Sequence, residues 1–210
     1  MEKVIQQDLL GETRGRSVIY QILSRAFTRP GPDAHQLVAA LNQVLETLGL
    51  QATAEIEGGI EALEIEYNRM FVGPGRLICP PYESVHRRDR NELDTGLVMG
   101  PSTIDVVRRY MDAGWEVDEK FKDLPDHIAV EIEFMHLLCE KQLESPDEQE
   151  KWRNKQREFI QSHLELWVSR FADCVEQRSS SSFYRSAALL LREMIEKETD
   201  SFDLPEPWSP

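Results

Sequence analysis

Along nearly all of the chain, apolar side chains return every three or four positions and nowhere alternate one by one. A strand with one face in a core needs period two, whereas a helix with one face in a core needs a period of 3.6. The expected fold is therefore all-α, a single-domain helical bundle of roughly eight helices spanning 1–210, with loosely held ends at about 1–12 and 199–210. A domain of this length buries roughly 70% of the surface its unfolded chain exposes, so a sizeable core is available.

Proline and glycine punctuate the pattern. Ile19, Leu23 and Phe27 repeat at four-residue spacing from Arg16 until Arg29-Pro30-Gly31-Pro32 ends the helix. Asp33 is expected to cap a second helix, with Leu37, Leu41, Leu45 and Leu48 inward and Gly49 taking the left-handed turn that closes it. A third helix turns Ile60, Leu63, Tyr67 and Met70 inward and Glu61, Glu64 and Glu66 largely outward, ending near Phe71. Residues 72–84 hold three prolines and two glycines yet stay apolar, which predicts a packed, ordered loop. Ser102 and Asp105 resemble a capping box ahead of Ile104, Val107 and Met111, and Gly114 stops that helix. Ser145-Pro146-Asp147-Glu148 is a second capping box, launching a helix through Trp152 and Phe159 that bends near Ser162-His163. Leu164, Trp167 and Phe171 continue it, and Phe183, Ala187, Leu190 and Met194 mark a last amphipathic helix.

The most informative run is Asp123 to Lys141. Pro125 suits a first helical turn, where the amides are unpaired, and Asp123 or Asp126 can accept from those amides. Ile128, Ile132, Met135 and Cys139 then share one buried face. The other face gathers Asp126, His127, Glu131 and Glu133 within about two turns. Two readings fit it: a cap with a solvated acidic stripe, or a Pro-Asp-His corner that recognises a cationic ligand.

Composition removes several function classes. With 38 acidic against 24 basic residues the formal charge is −14, which repels nucleic acid and anionic lipid and attracts basic partners. The best basic patch, His86, Arg87, Arg88 and Arg90, is interrupted by Asp89 and reads as surface. Cys79, Cys139 and Cys174 are scattered and odd in number, so neither a disulfide framework nor a zinc site is signalled, and the pattern suits a reducing compartment. No apolar run is long enough for a membrane span, and the expectation is a soluble, cytoplasmic protein. Gly73-Pro-Gly-Arg76 has the wrong spacing for a phosphate loop, and nothing beside Ser84 or Cys79 argues for a nucleophile. Glu83-Ser-Val-His86 and Glu133-Phe-Met-His136 share the Glu-x-x-His spacing of di-iron bundles, so a helical di-iron oxidoreductase is one alternative; a generic helical adaptor is another. No catalytic residue, metal or cofactor is otherwise indicated.

Three segments together resemble the TorD/DmsD family of redox-enzyme maturation chaperones. They are Glu66-Tyr67-Asn-Arg-Met70-Phe71-Val-Gly73-Pro74 leading to Pro80-Pro81-Tyr82-Glu83-Ser84-Val85, then Pro125-Asp126-His127, then His163-Leu164 with Trp167 and Phe171. The resemblance covers about residues 16–196. It implies a non-enzymatic cytoplasmic chaperone that binds the twin-arginine leader and the apo-form of a molybdenum-containing oxidoreductase subunit until cofactor insertion permits export. It also implies leader-binding roles for Tyr67, Met70, Phe71, Pro81, Tyr82, Pro125, Asp126 and His127. Some members carry tryptophan after the Gly-Pro where this chain has Gly75. Either a monomer or a domain-swapped dimer is compatible with the pattern.

The residues support such a ligand on their own terms. A twin-arginine leader offers two guanidinium forks beside an apolar segment, so its receptor needs carboxylates and a groove. Asp126, Glu83 and Glu131 are candidates for the first, and Tyr67, Phe71 and Tyr82 for the second.

Overall fold

A computed structural model describes residues 2–74, 77–87, 98–117 and 123–203, without the side chains of 2–11 and 203. Among the described residues nine α-helices follow one another: α1 (Glu2–Ala26), α2 (Ala34–Thr47), α3 (Gly59–Tyr67), α4 (Glu83–His86), α5 (Pro101–Asp112), α6 (Ile128–Glu144), α7 (Gln149–Ser162), α8 (Val168–Arg178) and α9 (Ser182–Asp203). A π-helical turn, Asn68–Val72, extends α3, and 3-10 turns precede α7 and α8. Among the described residues there is no strand, only an isolated antiparallel bridge between Tyr82 and His127. The fold is all-α, as the periodicity predicts.

The middle of the molecule is α6, which is buried on nearly every side: Ile128, Ile132, Met135, Leu138 and Cys139 are fully enclosed. Helix α1 lies along it and α7 flanks it, while α8 and α9 pack as a pair. Aromatic rings fill the joints. Phe27, Phe71, Phe171 and Tyr184 meet edge to face or tilted between α1, the π-turn, α8 and α9, and Tyr110, Phe134 and Phe159 do the same between α5, α6 and α7.

A polar clamp closes the opposite end. Arg16 of α1 bonds Glu198 of α9 through Nε and Nη2 and Gln156 of α7 at 2.7 Å, while Arg153 reaches the same Glu198 carboxylate at 3.5 Å. Ser17 of α1 meets His136 Nδ1 at 2.8 Å and donates to Glu140, both on α6.

Several expectations are corrected. Helix α1 begins at Glu2, far ahead of Arg16, and α9 runs through Asp203, beyond the Thr199 where a loose tail was expected. Asp33 stands at the N-cap of α2 without a side-chain cap bond, because its carboxylate pairs with Arg25. Leu48 lies past the last turn of α2 and is exposed. On α5 the N-cap is Gly100 with Pro101 behind it, and neither Ser102 nor Asp105 forms a capping box. The buried row there is Thr103, Val106 and Tyr110, so Ile104 and Met111 face outward. Ser145 makes no side-chain cap either; Pro146 starts a 3-10 turn instead.

Glu66, expected outward, is buried and ties two helices together. It accepts from Arg69 at 2.7 and 2.8 Å, from Ser179 Oγ at 2.7 Å and from the Ser180 amide at 2.8 Å. Burial opposes its charge, yet these donors together bring the carboxyl down to about 2. The cysteines also depart from expectation: Cys79 and Cys174 form a disulfide, and only Cys139 is free. A separation of 95 residues hid the pair from any spacing rule. Gly75, Arg76, Arg88 to Arg90 and the tail beyond Asp203 lie outside the described residues.

Candidate functional site

Two of the segments singled out in the sequence meet along one seam. Pro80 and Pro81 keep the chain from turning helical, so it runs extended into the start of α4. The Pro81 carbonyl accepts from the Ile128 amide at 2.8 Å, and the Asp126 carbonyl accepts from the Glu83 amide at 3.0 Å. These two bonds make the Tyr82–His127 bridge and fix the proline-rich loop to the head of α6.

The side chains of the seam serve each other's helices. Asp126 does not cap α6; its Oδ2 crosses to accept from the Ser84 amide at 3.0 Å, satisfying a first-turn donor of α4. The α6 cap is His127, whose Nδ1 accepts from the Ala129 amide at 3.1 Å. Pro125 therefore precedes the helix. An accepting Nδ1 places the ring proton on Nε2 and requires a neutral imidazole. Burial pulls the His127 imidazole down to about 4, against Asp123 and Asp126, which favour its charge. The unfolded chain thus binds the proton first, near 6.5, so stability is present above that pH and is lost as pH falls toward about 4. Urea melts of wild type and His127→Asn at pH 7 and pH 4 are expected to show the stability difference between the two shifting against the wild type as pH falls, because the variant keeps a capping side chain but has no imidazole to protonate.

Beneath the seam lies an acidic core. Glu83, Asp126 and Glu131 are all fully buried. Glu83 bonds Arg87 one turn later at 2.7 Å and His163 Nδ1 at 2.9 Å. The other ring nitrogen of His163 meets Asp105 of α5 at 3.0 Å. His163 sits where α7 ends, with backbone angles (φ −130°, ψ −82°) that break the helix and swing the ring toward Glu83. Glu131 takes the indole hydrogen of Trp167 at 3.2 Å. Burial first, and then the carboxylates of Glu83 and Asp126, push the Glu131 carboxyl well above its ordinary 4.5.

The ten predicted site residues divide sharply by exposure. Tyr67, Met70, Phe71, Pro81, Glu83, Asp126, His127 and Glu131 are buried, while Tyr82 and Pro125 are partly exposed. The first three belong to the aromatic joint, and Glu83, Asp126 and Glu131 present no carboxylate to solvent. The seam does display Tyr82, whose hydroxyl donates to the exposed Asp123 at 2.8 Å. Val72 (51% exposed) and Ile78 (38%) add apolar surface on the π-turn and the proline-rich loop. Asp123, read only as a capping candidate, is an acidic group that reaches water here. His163 and Arg87 were the other omissions; His163 was legible as a helix break, but its partners were not.

The two Glu-x-x-His motifs do not converge. Glu133 is exposed, and His136 turns to Ser17. His86 donates from Nε2 to the Pro80 carbonyl at 2.6 Å and stacks on Trp167, and Arg170 anchors its carbonyl at 2.8 Å. His86 and Arg87 are thus structural rather than a surface patch. Among the described residues no group of three His, Cys, Asp or Glu side chains is placed to hold a metal ion, and no helix is long and apolar enough to cross a membrane.

Comparison with known proteins gives a consistent result. The sequence model described as nitrate reductase delta subunit matches residues 32–173. The chain is 28% identical over 162 residues to the chaperone protein TorD of Vibrio parahaemolyticus, covering 76% of this chain and 69% of that one. It is 25% identical over 181 residues to the chlorate reductase assembly chaperone protein of Ideonella dechloratans, covering 84% of each. The crystal structure of a candidate redox enzyme maturation protein from Archaeoglobus fulgidus superposes with a TM-score of 0.56 at 25% identity, over 86% of this chain and 93% of that one.

Proposed function

This chain belongs to the nitrate reductase delta subunit family, and from that premise we propose that it is an assembly chaperone, not an enzyme, for a reductase subunit. The relatives named for TorD and for chlorate reductase assembly support that role. In its finer form the proposal is that the chain acts in the cytoplasm, binding the twin-arginine leader of an apo-catalytic subunit of a molybdenum-containing reductase and holding it until the cofactor is inserted.

The observation that carries the leader reading is the seam. It brings the proline-rich loop and the Pro-Asp-His corner into one backbone-paired unit; that unit presents Tyr82 bonded to Asp123, and the same loop and the π-turn expose Ile78 and Val72. An acidic group next to an aromatic ring and an apolar strip matches two guanidinium forks followed by an apolar segment. In this proposal Tyr82 and Pro125 touch the ligand together with Asp123. Tyr67, Met70, Phe71, Pro81, Glu83, Asp126, His127 and Glu131 hold that surface from below. The formal charge of −14 speeds encounter with a basic peptide.

Titration with a fluorescent twin-arginine peptide, against a twin-lysine control, tests the reading. The arginine peptide is expected to bind more tightly, and more weakly as salt rises. Asp123→Asn is expected to cost about 1 kcal/mol of binding, roughly fivefold in Kd, with little change in melting temperature, because the group is exposed. Equal affinity for the two peptides would reduce the chain to an adaptor without leader specificity.

A further inference from the structure

The disulfide between Cys79 and Cys174 ties the proline-rich loop to α8, with the two Cα atoms 5.8 Å apart. Its two sulfurs sit in different surroundings. Cys79 is fully buried, and its amide donates to the Met70 carbonyl at 3.1 Å, closing the loop onto the π-turn. Cys174 is on a partly exposed side of α8, its sulfur 3.3 Å from the Ile78 carbonyl. The Cys174 side of the bridge is therefore the one nearer to solvent for an incoming thiolate. The third cysteine does not compete: burial pushes the Cys139 thiol up to about 12, so it stays protonated and unreactive.

We propose that Cys79 and Cys174 are a reversible thiol–disulfide site that fixes or frees the loop at 77–82, with a dithiol as its reductant. A dithiol thiolate attacks the Cys174 sulfur, the bond to Cys79 breaks, and Cys79 leaves as a thiolate that takes up a proton. The second thiolate of the reductant then attacks its own sulfur in the mixed disulfide and releases Cys174, which also takes a proton. Two electrons pass from the dithiol, which becomes a disulfide, to the pair.

The structure has a partner ready for the reduced state. Once the bridge is cut, the Cys174 thiol can donate to the Ile78 carbonyl beside it. That weak bond replaces a covalent tether, so the loop stays near α8 but opens more readily. The seam residue Tyr82 lies three positions beyond Cys79. Opening the loop therefore changes the order of the surface that carries Tyr82 and Ile78. In a reducing compartment such as the cytoplasm proposed above, disulfides are characteristically transient and redox-sensing. Any effect on leader affinity rests on the function proposed in the preceding subsection; the effect on the loop does not.

The full-length chain is compared after oxidation with oxidised glutathione and after reduction with dithiothreitol. Thiol titration in denaturant should find only Cys139 free in the oxidised protein and all three cysteines free in the reduced one. Hydrogen exchange across 77–82, the Cys79 amide included, should be about tenfold faster or more when reduced, with α9 unchanged. Cys174→Ser should exchange at the fast rate in both buffers. This variant alters the partly exposed partner, so it spares the buried position, and the wild-type pair of buffers needs no variant at all. Three free thiols after oxidation, or equal loop exchange in the two states, would overturn the proposal. Titration with the twin-arginine peptide in both buffers is read separately: a redox-dependent loop with no leader binding in either state would leave the switch standing and remove the leader function.

Discussion

Glu198→Ala is expected to cost about 3 kcal/mol of stability, which lowers the melting temperature of a chain this size by roughly 10 °C. The side chain is buried and accepts from Arg16 and Arg153 together. Arg16 is itself largely enclosed. Truncating the carboxylate removes the bonds and also leaves two guanidinium groups facing each other with no counter-charge. That second effect is the larger, because an uncompensated buried charge costs more than a salt bridge contributes. Glu198→Gln keeps an acceptor without the charge and should fall between wild type and alanine. Thermal melts of the three proteins decide it; an alanine variant within about 0.5 kcal/mol of wild type would mean that the clamp is relaxed by water.

Glu131→Gln is expected to stabilise the protein at neutral and alkaline pH, the opposite of what removing a buried hydrogen-bonded acid usually does. The folded chain keeps the Glu131 proton well above 4.5, whereas the unfolded chain releases it near that value. A group raised on folding contributes fully below its unfolded pKa. Its contribution is lost as pH rises toward the folded value, at about 1.4 kcal/mol per pH unit. Glutamine has nearly the shape of the protonated acid and carries no proton to lose. The two proteins should therefore be similar in stability at pH 4, and the variant should gain steadily as pH increases. Denaturant melts at pH 4, 5.5, 7 and 8.5 measure this, and parallel curves would show that Glu131 is ionised in the folded state.

The helices were legible because burial imposes a period that the sequence shows directly. The faces were less so. On α5, Ile104, Val107 and Met111 form a more apolar row than Thr103, Val106 and Tyr110, yet the second row is buried. The Tyr110 hydroxyl finds a partner in the Pro125 carbonyl at 2.9 Å, which makes the more polar row the better packed one. The buried carboxylates misled for a related reason. A glutamate on a helix reads as solvent-facing, since burying its charge is costly. What makes burial tolerable for Glu83 is Arg87 and His163, and for Glu131 it is the Trp167 indole, with burial favouring its neutral form. Some of those partners are far away in sequence, so no local pattern announces them. At the head of α6 the local rule offered the cap to Asp123 or Asp126, whereas it falls to His127.

The Arg16–Glu198 pairing joins positions 182 residues apart, and it has a consequence during synthesis. Helices α1 and α6 pack together and both precede α9 in the chain, so they can pair once α6 has left the ribosome's exit tunnel. Helix α9 is made after both, and until it arrives Arg16 lacks the Glu198 carboxylate, while the aromatic joint lacks Tyr184. Phe71 and Tyr67 stay uncovered on that side for the same interval. The nascent chain thus exposes an aromatic patch and an unpaired cation until α9 docks, so this part of the fold closes only after Glu198 emerges.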